Sequence, residues 1–118
     1  MTNRVLVVDD NPDICDIVSI ALKGKGIEVR TAETGNDGIS IFLQFMPDIV
    51  LLDYKLPDMD GNDVAKKIKA TGKATGIIRM TGENVIGNDV DMSLYVGKLQ
   101  KPFKLAEMVQ YVEDHIKK

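Results

Sequence analysis

Hydrophobic and polar positions along the chain follow two rhythms in turn. Val5-Leu6-Val7-Val8 is a continuous apolar run that stops at Asp9-Asp10, the pattern of a strand covered on both faces. Asn11-Pro12 comes next, a cap-capable residue and then a proline where the first helical turn tolerates one. Ile14, Ile17, Val18, Ala21 and Leu22 recur at helical spacing until Gly24 and Gly26 mark the stop. Residues 27–31 predict a weaker second strand. Thr34 predicts the cap of a second helix that turns Ile39, Phe42, Leu43 and Met46 to one face and is closed by Pro47.

The first pattern then repeats. Ile49-Val50-Leu51-Leu52 is again a buried run ending in an acid, Asp53, and Leu56-Pro57-Asp58-Met59-Asp60-Gly61 is turn-forming. A third helix carries Val64, Ala65 and Ile68 and ends before Gly72. Gly76-Ile77-Ile78-Arg79-Met80 predicts a fourth strand, ending in Thr81-Gly82. Residues 83–92 predict a short polar helix, and residues 98–100 a fifth strand ahead of Lys101-Pro102. The last helix starts near Lys104 and presents Leu105, Met108, Val109, Val112 and Ile116. Five strands alternating with five helices predict an α/β fold: a doubly wound, mostly parallel sheet, one domain over residues 1–118.

Composition narrows the class. In 118 residues there are 18 acidic and 15 basic side chains, a net charge of -3. Mild acidity without a long basic stretch argues against direct nucleic-acid binding. The single cysteine, Cys15, excludes a disulfide framework and suits a reducing compartment. No apolar run approaches the roughly 18–20 residues of a membrane span, and the N-terminus is no signal peptide. A cytoplasmic protein is expected.

Open α/β sheets bind ligands beyond the carboxyl ends of their strands. Here those ends carry Asp9-Asp10, Asp53, Thr81 and Lys101. Each has a bland alternative: a cap, a turn former, a solvated charge. Their agreement on one rim favours chemistry. Crowded carboxylates repel unless a cation neutralises them, and a hard divalent ion, Mg²⁺ by preference, suits oxygen ligands. An Asp can act as nucleophile toward a phosphoryl group whose oxygens a metal, a lysine and a hydroxyl stabilise. Asp53 as acceptor, Asp9 and Asp10 around the metal, and Lys101 and Thr81 on the phosphoryl oxygens form a coherent set.

With these residues in place, the sequence resembles the receiver domain of two-component response regulators, of the stand-alone chemotaxis or phosphorelay type. The resemblance rests on Val7-Val8-Asp9-Asp10-Asn11, Leu51-Leu52-Asp53, Pro57-Asp58-Met59-Asp60-Gly61, Thr81-Gly82 and Lys101-Pro102-Phe103. It implies the flavodoxin-like strand order 2-1-3-4-5 and an Asp53 phosphorylated by a histidine kinase or phosphotransfer protein. It also implies that Asp10, Asp53 and the backbone carbonyl of Lys55 bind Mg²⁺, with Asp9 acting through water, and that the Lys101-Pro102 bond is cis. A downstream protein would read the face made by the fourth helix, fifth strand and fifth helix. As the chain ends just after the last helix, no effector is expected, and the protein is read as a signalling module rather than an enzyme.

One departure matters. The family's aromatic switch residue lies three positions before the Lys-Pro pair, where this chain has Lys98. Tyr95 is near, but three residues along a strand places it on the opposite face. A pseudo-receiver that keeps the fold without the Thr–aromatic relay is therefore an alternative. A small aspartate-nucleophile phosphatase is another, disfavoured because Lys55 stands where such enzymes resemble one another in having a second Asp. Lys55 and Glu83 flank the site mouth by resemblance, as solvated charges or as a pair. Gly72-Lys73-Ala74-Thr75 lacks the earlier glycine of a P-loop. Cys15 reads as a small apolar side chain, and His115 as a surface or edge residue.

Overall fold

The computed structural model describes residues 3–82 and 92–116. In chain order they form β1 (Arg4–Val8), α1 (Pro12–Lys23), β2 (Glu28–Ala32), α2 (Gly35–Phe45), β3 (Ile49–Asp53), α3 (Gly61–Ala70), β4 (Gly76–Thr81), a 3₁₀ turn (Met92–Leu94), β5 (Gly97–Gln100) and α4 (Leu105–Ile116). The strands make one parallel sheet in the order β2-β1-β3-β4-β5. This is the flavodoxin-like order the sequence implied. No helix among the described residues is long and apolar enough to cross a membrane.

Because strand side chains alternate, each central strand feeds two cores. Val5, Val7, Ile49, Leu51, Ile78 and Met80 pack with Leu22 of α1 and Met108 and Val112 of α4. Leu6, Val8, Val50, Leu52 and Ile77 pack on the other side with Phe42 of α2 and Val64 and Ile68 of α3. That alternation lets one continuous apolar run serve both layers. It breaks once, at Arg79 of β4, which is buried where the pattern calls for an apolar side chain.

Local chemistry fixes the helix starts. Asn11 Oδ1 accepts the Asp13 N–H at 2.9 Å, Thr34 Oγ1 accepts the Asp37 N–H at 3.0 Å, and Asp60 Oδ1 accepts the Asp63 N–H at 3.0 Å. At its far end α2 is capped by Met46 in the left-handed region, φ 55°, just before Pro47.

Several expectations change. The described residues hold four α-helices rather than five, since the helix expected over residues 83–92 falls mostly on 83–91, outside the described residues. Its last residue opens the 3₁₀ turn, where the Tyr95 N–H donates to the Met92 carbonyl at 3.2 Å. On α2 the inner face is set by Gly38, Phe42 and Phe45, so Leu43 and Met46 point outward. Helical spacing puts Phe45, not Met46, above the sheet. Ile17 of α1 is likewise exposed.

Tyr95 differs most. Residues 95 and 96 precede β5 and do not follow a strand's two-residue period. Tyr95 therefore packs in the α2/α3-side core, where its hydroxyl donates to Asn62 Oδ1 of α3 at 2.5 Å. Lys98 is exposed on β5, and its N–H donates to the Tyr111 hydroxyl of α4 at 3.1 Å. His115 of α4 is partly exposed, one ring nitrogen 2.8 Å from the Tyr111 carbonyl.

Candidate functional site

β1 and β3 run side by side with Val8 opposite Leu52, so the next residues, Asp9 and Asp53, emerge together at the carboxyl edge. Asp9 is fully buried. Its Oδ1 accepts the Asn11 N–H at 2.9 Å and its Oδ2 accepts Lys101 Nζ at 2.5 Å. Asp53 Oδ1 accepts the Tyr54 N–H at 3.0 Å and lies 3.4 Å from Lys101 Nζ. Lys101 reaches in from beyond β5, where its own N–H donates to the Thr81 carbonyl at 2.6 Å and its bond to Pro102 is cis. With exposed Asp10 added, Asp9, Asp10 and Asp53 each offer a carboxylate oxygen within 4.8 Å of the others.

The charges do not balance. Burial, then the neighbouring Asp9 charge, raises the Asp53 pKa, and Lys101 opposes this only in part. Burial works against the Lys101 ammonium, yet the hydrogen bond to Asp9 and the charges of both carboxylates outweigh it and hold its pKa above the ordinary value. Three carboxylates face one ammonium. An all-oxygen donor set with excess negative charge fits a hard divalent cation such as Mg²⁺. Cys15 closes the floor: its Sγ–H donates to the Asp9 carbonyl at 3.3 Å, and burial followed by Asp9 pushes its pKa up to about 11.

The loop after Asp53 is held by close backbone contact. The Gly61 N–H donates to the Tyr54 carbonyl at 2.6 Å, and a Cβ at residue 61 would meet the Asp53 carbonyl oxygen at 2.6 Å. Only glycine fits there. Lys55 is exposed on this loop, and its backbone pairs with that of Asp60 in an isolated antiparallel bridge. Thr81 ends β4 one residue past Met80, the partner of Asp53 in the register, and is half-buried.

Sequence reasoning thus placed Asp9, Asp10, Asp53 and Lys101 in one cluster, with Thr81 on the adjacent strand end and Lys55 on the loop. It read Asp58 only as part of a turn; its two carboxylate oxygens accept the Gly35 and Asn36 N–H groups at 2.8 and 2.9 Å, joining the site loop to the start of α2. Those bonds lower its pKa. The signal was an acid in a loop facing a helix N-terminus, but only the fold shows which helix. Glu83 lies outside the described residues.

Known proteins resemble this chain in sequence and fold. A family model described as the response regulator receiver domain matches residues 5–113. The DNA-binding response regulator MtrA of Mycolicibacterium smegmatis is 32% identical over 123 aligned positions, covering 100% of this chain and 52% of that protein. The chain therefore spans about half the length of that relative. A CheY-like receiver domain protein from Methanospirillum hungatei superposes with TM-score 0.92 at 25% identity, covering 99% of this chain and 95% of that one. The receiver domain of a LuxO repressor protein from Vibrio parahaemolyticus gives 0.89 at 28% identity, covering 99% and 92%. With this match over nearly its whole length, and with the acids and the lysine converging on one rim, the chain belongs to the response regulator receiver domain family.

Proposed function

We propose that this chain receives a phosphoryl group on Asp53 from a phosphohistidine of a kinase or phosphotransfer protein and passes the signal on by protein contact. The observation that carries this reading is the Asp9–Lys101–Asp53 arrangement, with Asp9 buried and Asp10 exposed beside it. An Asp53 carboxylate oxygen forms the new P–O bond while the P–N bond of the donor breaks, its electron pair staying on the imidazole nitrogen. Lys101 meets the charge that develops on the phosphoryl oxygens, and Thr81 offers them a hydroxyl. Asp9, Asp10, Asp53 and the Lys55 carbonyl are the groups that would hold Mg²⁺, which when bound offsets charge on the carboxylates and the incoming oxygens. The acceptor has no second acid at residue 55 to drive turnover, which supports a switch rather than a phosphatase. β5 and α4 are the described part of the face that a downstream protein would read.

Incubation with Mg²⁺ and a small phosphodonor such as acetyl phosphate tests this. The intact mass should rise by one phosphoryl group, lost in Asp53→Asn and without added Mg²⁺. Labelling that persists in Asp53→Asn, or none in the unaltered chain, overturns the reading.

A further inference from the structure

Arg79 is only 6% exposed, and its Nε and Nη2 have no hydrogen-bond partner among the described residues. Its guanidinium lies over the Tyr54 ring, Cζ 5.0 Å from the centroid. Tyr54 is the residue whose N–H is bonded to Asp53 Oδ1. Along β4, Arg79 sits two residues before Thr81 and so on the same face, and the register sets it between Leu52 of β3 and Lys98 of β5. A buried guanidinium with two unmet donors is a costly resting state, and contact with an aromatic ring repays only part of the lost hydration. Any state that brings oxygen acceptors within reach is favoured by comparison. Lys98 opposite adds a like charge and leaves the place of the usual aromatic side chain without one.

We propose that Arg79 is the charge sensor of this chain: an oxyanion placed on Asp53 draws its guanidinium off the Tyr54 ring and supplies the acceptors that Nε and Nη2 lack. The ligand is the phosphoryl group itself, so the inference rests on Asp53 being the acceptor. Arg79 then binds the phosphoryl oxygens directly. It couples the charge on Asp53 to the face of β4 that carries Thr81, without requiring an aromatic residue at position 98.

Beryllofluoride with Mg²⁺, a phosphoryl mimic, provides the test. The chain has three arginines, Arg4, Arg30 and Arg79, so the Nε–H resonance of Arg79 is assigned by its loss in Arg79→Met. On adding beryllofluoride that resonance should shift, while those of Arg4 and Arg30 stay in place. Arg79→Met should bind beryllofluoride at least about tenfold more weakly, the weight of one hydrogen bond to a charged group. It should also unfold at a higher temperature, by about 4 °C or more, because an apolar side chain of similar length suits the core. Weaker binding in a more stable chain separates sensing from structural damage. Equal affinity in Arg79→Met with an unmoved Nε resonance overturns this inference alone, and so does a loss of stability, which would mean that the guanidinium is already satisfied. No response of the unaltered chain to beryllofluoride overturns the acceptor reading as well.

Discussion

The two ends of the sheet carry similar charges in opposite circumstances. At the amino end Arg4 meets Glu28 at 3.3 Å with both side chains about half exposed (45% and 47%), and its guanidinium also donates to the Phe45 carbonyl. The Arg4 N–H donates to Asp48 Oδ2 at 2.8 Å. These are solvated interactions, and water would replace most of them. At the carboxyl end Asp9 is fully buried and Lys101 is bonded to it, while Asp53 crowds the same ammonium. Acids there outnumber the base, and no water reaches Asp9. An arrangement that costs stability persists where it does something other than stabilise.

The sharpest way to break this contrast is to remove the cation. Lys101→Met leaves Asp9 buried without its partner and should cost about 3 kcal/mol, read as a lower urea midpoint. A loss under about 1 kcal/mol, typical of an exposed pair, would place both ends in the same class. Next is Cys15, beneath Asp9. With its pKa near 11 against an ordinary 9.0, Cys15 should react with a disulfide reagent at pH 8 roughly a hundredfold more slowly than in the urea-unfolded chain. Its raised pKa also stabilises the fold below about pH 9, a contribution lost as pH rises through about 11.

Asp53→Asn sharpens the comparison in the other direction. Because the Asp53 pKa is raised by burial and by Asp9, the folded chain prefers this carboxyl protonated. The amide should therefore be more stable than the carboxylate at neutral pH, on the order of 1 kcal/mol without metal. That advantage should shrink as pH falls through the raised pKa and vanish below the ordinary carboxylate value of 3.8. Thermal melts across that window would show it. The smallest effect belongs to the amino end: Glu28→Gln should change stability by less than about 0.5 kcal/mol, and less still in high salt.

The carboxyl end was legible in the sequence because two buried runs stop at acids. Once Val5–Val8 and residues 49–52 are read as adjacent parallel strands, Asp9 and Asp53 have to emerge together. The lysine followed from the same edge rule. Tyr95 was not legible, since the two-residue period holds only inside a strand and a 3₁₀ turn sets the chain before β5. Arg79 was in plain view as a charge within an apolar run, yet its burial and its unmet donors depend on what neighbours it. Helix α2 shows a milder form of the same limit, because a stripe read from spacing alone does not say which edge of it meets the sheet.

The bond from the Lys98 N–H to the Tyr111 hydroxyl bears on how copies of this protein meet. β5 is an outer strand of only four residues, and an open strand edge invites a second molecule to pair with it. Here one of its amides is already held by a side chain of the neighbouring helix, and a lysine occupies the middle of the strand. This leaves little room to zip on another strand, so neighbours are steered toward side-chain contacts that form and release without remaking the sheet.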